Sequence, residues 1–144
     1  MKIFNNLKNK LEKCNNDIKL FSLEGELKLC KVVDIYDGDT CKVVFDLNNC
    51  LYKWNIRMTG YDSPEIRMSK DDPEREEKKL KGLEARDYLR NLILNKIVYI
   101  KCGNFDKYGR LLGTIFINKK DIVSVNELMI NHNFGYIYNG GTKN

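Results

Sequence analysis

The stretch ELKLCKVVDIYDGDTCKVVFDLNNCLYKWNIRMT, residues 26–59, holds three apolar–polar alternations punctuated by Asp37-Gly38 and Asn48-Asn49. Alternation with a period of two marks strands half in and half out of a core, and Asp-Gly and Asn-Asn accept the backbone of tight hairpin turns. The segment therefore predicts a strand from Glu26 to Tyr36, a second after the Asp-Gly turn, and a third from Leu51 to Thr59. In the second, Cys41, Val43, Phe45 and Leu47 share one face while Lys42, Val44 and Asp46 share the other. In the third, Tyr52, Trp54, Ile56 and Met58 line the core side, which turns Lys53, Asn55 and Arg57 away from it.

Outward from this unit, residues 66–79 are almost wholly polar and predict a long surface loop. Ala85, Tyr88, Leu89, Leu92 and Ile93 then mark one face of a helix ending near Leu94. Ile97–Cys102 and Leu111–Ile117 predict two further strands around a turn-rich stretch from Gly103 to Gly109. Ser124 followed by Glu127 forms a capping box, so a helix starts there and carries Val125, Leu128 and Met129 inward. The tail from Gly135 to Asn144 is rich in Gly and Asn. Upstream, Phe4, Leu7, Leu11 and Cys14 recur at helical spacing with Lys8, Lys10 and Lys13 between them. This short amphipathic helix is expected to pack against the domain, with a membrane surface or a partner as the alternative. Five strands with a helix inserted after the third do not alternate β and α regularly, which argues against a doubly wound sheet. The fold class is mainly β (α+β), a five-stranded OB-type barrel with two or three helices, with residues 1–20 as an amphipathic arm and 21–144 as the domain.

A length of 144 residues supplies one hydrophobic core and leaves no room for a second ordinary domain. Hydrophobic residues at 42% exclude the composition of a disordered chain. The net charge of +5 favours a polyanionic partner without specifying one. No apolar run approaches the ~20 residues of a membrane span, so no integral membrane segment is expected, and the first residues lack the apolar stretch of a cleavable secretory signal. Cys14, Cys30, Cys41, Cys50 and Cys102 include no C-x-x-C pair, which excludes the common zinc and dithiol motifs. Read as buried free thiols, they favour a reducing, intracellular setting.

Four polar clusters fall at predicted strand ends: Asp37-Gly38-Asp39-Thr40, then Arg57, then Asp62-Ser63-Pro64-Glu65, then Asp106-Lys107-Tyr108-Gly109-Arg110. Each alone reads as a turn, a strand end or a solvated loop. In this order and spacing they resemble the staphylococcal nuclease family, over about residues 29–138. The resemblance implies a calcium-dependent phosphodiesterase site on the barrel surface, acting on DNA and RNA and leaving a 3′-phosphate. By position, Asp39 and Asp62 resemble the metal-binding aspartates, and Ser63 resembles the residue that lends its main-chain carbonyl. Ser63 stands where the family prototype carries Thr, a change that a backbone contact tolerates. Glu65 resembles the catalytic glutamate, and Arg57 and Arg110 resemble the two catalytic arginines. Lys107, Tyr108, Tyr136 and Tyr138 resemble the residues that hold terminal phosphates and the scissile region.

Elementary chemistry agrees with these roles. Oxygen-only ligands suit a hard cation, and Ca²⁺ is the cofactor that the resemblance implies. Arginine donates two parallel bonds to one phosphate and stays charged at any working pH. The expected partners are DNA and RNA substrates, single strands preferred, and the chain is expected to be a monomer. His132, flanked by Asn131 and Asn133, invites a His-metal reading, but such sites need several histidines and this one is the sole His in the chain. Asp71, Asp72, Glu74, Glu76 and Glu77 within the polar loop are read as solvated. The alternative is a non-catalytic nucleic-acid or protein-binding module on the same barrel. Such modules lose several catalytic positions, whereas Asp39, Arg57, Asp62, Glu65 and Arg110 are all present.

Overall fold

A computed structural model describes residues 2–67 and 69–137. Its elements are α1 (Lys2–Glu12), β1 (Leu27–Ile35), β2 (Thr40–Leu47), β3 (Cys50–Met58), β4 (Tyr61–Asp62), α2 (Arg75–Ile93), β5 (Ile97–Phe105), β6 (Leu111–Phe116), α3 (Val125–Asn131) and β7 (Tyr136–Ile137). Five strands close into a barrel in the order β1-β2-β3-β6-β5, with β5 paired back onto β1. The β3·β6 pair is parallel and the other pairs in the ring are antiparallel. That is the expected five-stranded OB-type barrel with three helices.

Alternation puts Cys30, Val32 and Ile35 of β1, Cys41, Val43 and Phe45 of β2, and Val98, Ile100 and Cys102 of β5 inside the ring. Gly82, Ala85, Leu89 and Ile93 form the buried face of α2, at the three- and four-residue spacing that a helix needs to cover a barrel end. Arg90 fastens this helix to the barrel by donating to the Ile35 carbonyl at 3.0 Å. The β2–β3 turn uses Asn48 (φ 52°) and Asn49 (φ 68°), two successive left-handed residues that match the twist of the flanking strands.

Several expectations need correction. Of the set Tyr52, Trp54, Ile56 and Met58, only Ile56 and Met58 are fully buried. The β3·β6 register begins at Ile56, so the first half of β3 pairs with β2 alone and extends past the barrel. Trp54 there covers the end of the core by stacking on Phe45, ring centroids 4.6 Å apart. The polar stretch 66–79 is not all loop: α2 begins at Arg75 and has Glu76 and Glu77 in its first turn, where carboxylates complement the helix dipole. Three cysteines are buried as expected, but Cys14 and Cys50 are exposed. Burial raises the pKa of Cys30, Cys41 and Cys102, which keeps these thiols protonated and inert. Finally, α1 does not pack on the domain: none of its residues is buried, and among the described residues the first buried one is Leu23.

Candidate active site

The site is built on the β1–β2 turn. Asp37 folds that turn around its own carboxylate, whose Oδ1 accepts from Asp39 N (3.1 Å), Thr40 N (2.9 Å) and Thr40 Oγ1 (2.6 Å). Gly38 is needed for contact: a Cβ there would lie 2.7 Å from Ser63 Cβ and 2.9 Å from Ala85 Cβ. The turn is thus pressed onto the 62–65 segment and α2, and Asp39 Oδ2 accepts from Ser63 N at 2.8 Å. Tyr61 locks the same contact from below, its buried hydroxyl donating to the Gly38 carbonyl at 2.7 Å. Burial and the neighbouring Asp39 charge raise the Tyr61 pKa well above its ordinary value, so the hydroxyl remains a donor.

Arg57 crosses from β3 to this turn. It leaves the core face as expected, yet its side chain is only 12% exposed because the β3–β4 corner covers it. Nη1 donates to the Met58 and Tyr61 carbonyls, each at 2.9 Å, and lies 3.4 Å from Asp39 Oδ2; Nη2 pairs with Asp62 Oδ1. One guanidinium therefore touches both aspartates. Burial raises the Asp39 pKa and the Asp37 charge raises it further, while Arg57 and the Ser63 N–H pull it back. Such a carboxylate gains from any additional positive charge.

The rest of the site is arranged around that clamp. The Pro64–Glu65 backbone lies against α2, where a Cβ on Gly82 would fall 2.8 Å from the Glu65 carbonyl oxygen. Glu65 is exposed just beyond buried Ser63. Arg110 is held by the β5–β6 loop: Asp106 accepts from Arg110 N (2.9 Å), Tyr108 N (2.9 Å) and Arg110 Nε (2.8 Å). Burial raises the Asp106 pKa, but these three donors outweigh it, so the carboxyl titrates below its ordinary value. Arg110 also lines a cavity of about 290 Å³ with Tyr36, Asp37, Thr40, Lys42 and Asn55, which puts it beside the β1–β2 turn. The register agrees, with Thr40 opposite Arg57 across β2·β3 and Arg57 opposite Leu112 across β3·β6.

Tyr136 pairs with Asp62 across β4·β7 and its side chain is exposed. Tyr108 is exposed too, with Lys107 Nζ 5.1 Å and Arg110 Cζ 5.3 Å from its ring centroid. Tyr138 lies outside the described residues. His132 is exposed at the C-cap of α3, with its ring 5.3 Å from that of Tyr88. Sequence reading assigned no role to Tyr61 or Asn126. Buried Asn126 accepts from Ile115 N (3.0 Å) and donates to the Thr59 (2.9 Å) and Gly113 (3.1 Å) carbonyls, which ties the end of β3 to β6. Nothing in its spacing distinguishes it from a solvated amide, because it falls beside the apolar stripe of α3 and not in it.

Asp39 and Asp62 offer two carboxylates, and beside them the buried Ser63 hydroxyl has no hydrogen-bond partner among the described residues. An oxygen-only set of this kind fits a hard cation and not a thiophilic one. No group of three or more His, Cys, Asp and Glu comes together among the described residues, so main-chain carbonyl and water oxygens would complete such an ion's shell.

Barrel and site together define a class: an OB-type barrel bearing an aspartate–arginine cluster at its β1–β2 turn. The sequence profile of the family described as "Staphylococcal nuclease homologue" matches residues 55–140, and the chain belongs to that family. It is 34% identical over 124 residues to an uncharacterised protein of Methanocaldococcus jannaschii, a match covering 75% of this chain and 58% of that protein. An uncharacterised endonuclease of Escherichia coli is 28% identical over 108 residues, covering 75% and 60% respectively. Protein ParB of Escherichia coli is 31% identical over 88 residues, covering 61% of this chain and 41% of ParB. The chain thus spans about three-fifths of the first two relatives.

Proposed function

We propose that this chain is a calcium-dependent endonuclease that hydrolyses phosphodiester bonds in DNA and RNA, prefers single strands, acts as a monomer and leaves 3′-phosphate ends. The observation that carries the reading is the Asp39–Arg57–Asp62 clamp, with Arg110 on the cavity beside the same turn. Family membership and the relative named an endonuclease support it.

Asp39, Asp62 and the Ser63 carbonyl would hold the ion, which when bound supplies positive charge near the phosphate oxygens. Arg57 and Arg110 bind the phosphate from fixed positions and stabilise the charge that grows as the five-coordinate state forms. Fixity matters because a preorganised donor does not reorganise during the reaction. Glu65 orients a water and accepts its proton as the new P–O bond forms. The bond from phosphorus to the 5′-oxygen breaks, and the leaving oxygen takes up a proton. Lys107, Tyr108 and Tyr136 hold the flanking phosphates and the scissile region, with Tyr138 as the further residue implied.

The test is incubation of denatured DNA and of RNA with the purified protein in calcium or in chelator, followed by end-group analysis. Calcium-dependent fragments with 3′-phosphate ends are expected. Binding without cleavage would favour the non-catalytic module, and cleavage unchanged in chelator would remove the metal site.

A further inference from the structure

We propose that α1 is an interfacial anchor that seats this protein on an anionic lipid bilayer. The helix is unpartnered: Ile3, Phe4, Leu7 and Leu11 are 81%, 61%, 45% and 59% exposed, and no residue of α1 is buried. At ~100° per residue these four side chains fall within an arc of roughly 100°, a single apolar stripe. Lys8 and Lys10 flank it on opposite sides, within roughly 20–40° of its edges on the same construction. Lys2 lies on the far face with the asparagines, Lys13 follows in the turn after the helix, and Glu12 is the sole acidic residue between positions 2 and 13. The segment thus joins a large-residue apolar face to a clear positive excess. Beyond it Ile18, Leu20 and Phe21 are also exposed, before Leu23 enters the core.

The placement of the lysines selects the occupant. Flanking lysines can lay their methylene stems along an acyl boundary while their ammonium groups reach lipid phosphates. A nucleic-acid backbone would engage the lysines and leave Phe4, Leu7 and Leu11 with nothing to bury against. The chain's own barrel already has a closed core that includes nothing of α1. An anionic bilayer satisfies both the stripe and the charge. No helix among the described residues is long and apolar enough to cross a membrane, so the anchor lies in the interface plane.

The experiment is co-sedimentation of the full chain with vesicles of phosphatidylcholine alone or of phosphatidylcholine mixed with phosphatidylglycerol. Sedimentation with the mixed vesicles is expected, weakened by added salt. Leu7→Glu should lower the partition coefficient about tenfold, the loss expected for one leucine kept out of the bilayer. Paired Lys8→Glu and Lys10→Glu changes should abolish the preference for anionic lipid. Circular dichroism and thermal unfolding of each variant should match wild type, since α1 contributes nothing to the core. Failure of the full chain to sediment overturns the proposal, as does Leu7→Glu binding equally well. A Leu7→Glu variant that loses affinity for single-stranded DNA and not for vesicles assigns the helix to nucleic acid and also overturns it.

Discussion

Arg57 bears the greatest number of roles on a single side chain. It bonds two carbonyls and two aspartates, and it is also the proposed phosphate ligand. Lysine cannot bridge these partners from one ammonium, so Arg57→Lys should lower kcat about 10²–10³-fold. It should also destabilise the fold by about 1–3 kcal/mol, because buried acceptors lose their donor. Steady-state kinetics and urea unfolding measure the two effects, and a variant normal in both would show that the clamp is idle. Glu65 differs, being an exposed residue whose backbone lies against Gly82 of α2. Glu65→Gln should cut turnover about 10²–10⁴-fold in steady-state kinetics, and unchanged turnover would remove this side chain from the reaction. Asp106 is accessible through pH. An acid whose folded pKa is depressed adds stability that is complete above its unfolded value of 3.8 and is lost as pH falls through the lower folded value. Asp106→Asn should therefore melt earlier than wild type at neutral pH, with the gap closing in acid below about pH 4. A gap that stays constant through the acid range would mean that the Arg110 and Tyr108 hydrogen bonds do not act through the carboxylate charge.

Gly82 sets how closely α2 approaches the Pro64–Glu65 segment. Helix propensity alone says that Gly82→Ala stabilises α2 by about 0.5–1 kcal/mol. Contact says otherwise, since the new methyl would sit 2.8 Å from the Glu65 carbonyl and 2.9 Å from that of Pro64, which are backbone atoms that cannot swing aside. Steric displacement should win: nuclease turnover falls because the Glu65 segment shifts, while far-UV helix content is retained. Unchanged turnover would show that α2 does not position Glu65. At this scale the strands of the ring were legible, because a period of two and the Asp-Gly and Asn-Asn turns are local properties of the chain. The start of α2 was not legible, because Glu76 and Glu77 look the same in a solvated loop as in a first turn favoured by the helix dipole. The strands β4 and β7 escaped as well, since a two-residue pairing such as Asp62 with Tyr136 leaves no periodicity to read.

At the scale of the whole molecule, residues from 39 to 110 come near the β1–β2 turn. Barrel closure does it: β3·β6 pairing brings Arg57 opposite Leu112, and the β1–β2 turn packs onto the 62–65 segment. The clusters were visible in the sequence as residue types at strand ends, and their order carried the family resemblance. Their convergence was not visible, because it depends on buried tethers that have no sequence signature, such as Tyr61 to Gly38 and Asn126 to Thr59 and Gly113. The fate of α1 was likewise hidden, since an amphipathic stripe reads the same whether it meets a core or a bilayer. The proposed function has Arg57 and Arg110 serve one phosphate in one transition state, which predicts that the two are energetically coupled. The direct measurement is a double-mutant cycle in kcat for single-stranded DNA cleavage with Arg57→Lys, Arg110→Lys and both together. Each single change should cost about 10²–10³-fold, with the double variant far less impaired than the product of the two. Strictly multiplicative losses, or a single variant with normal turnover, would contradict a shared phosphate.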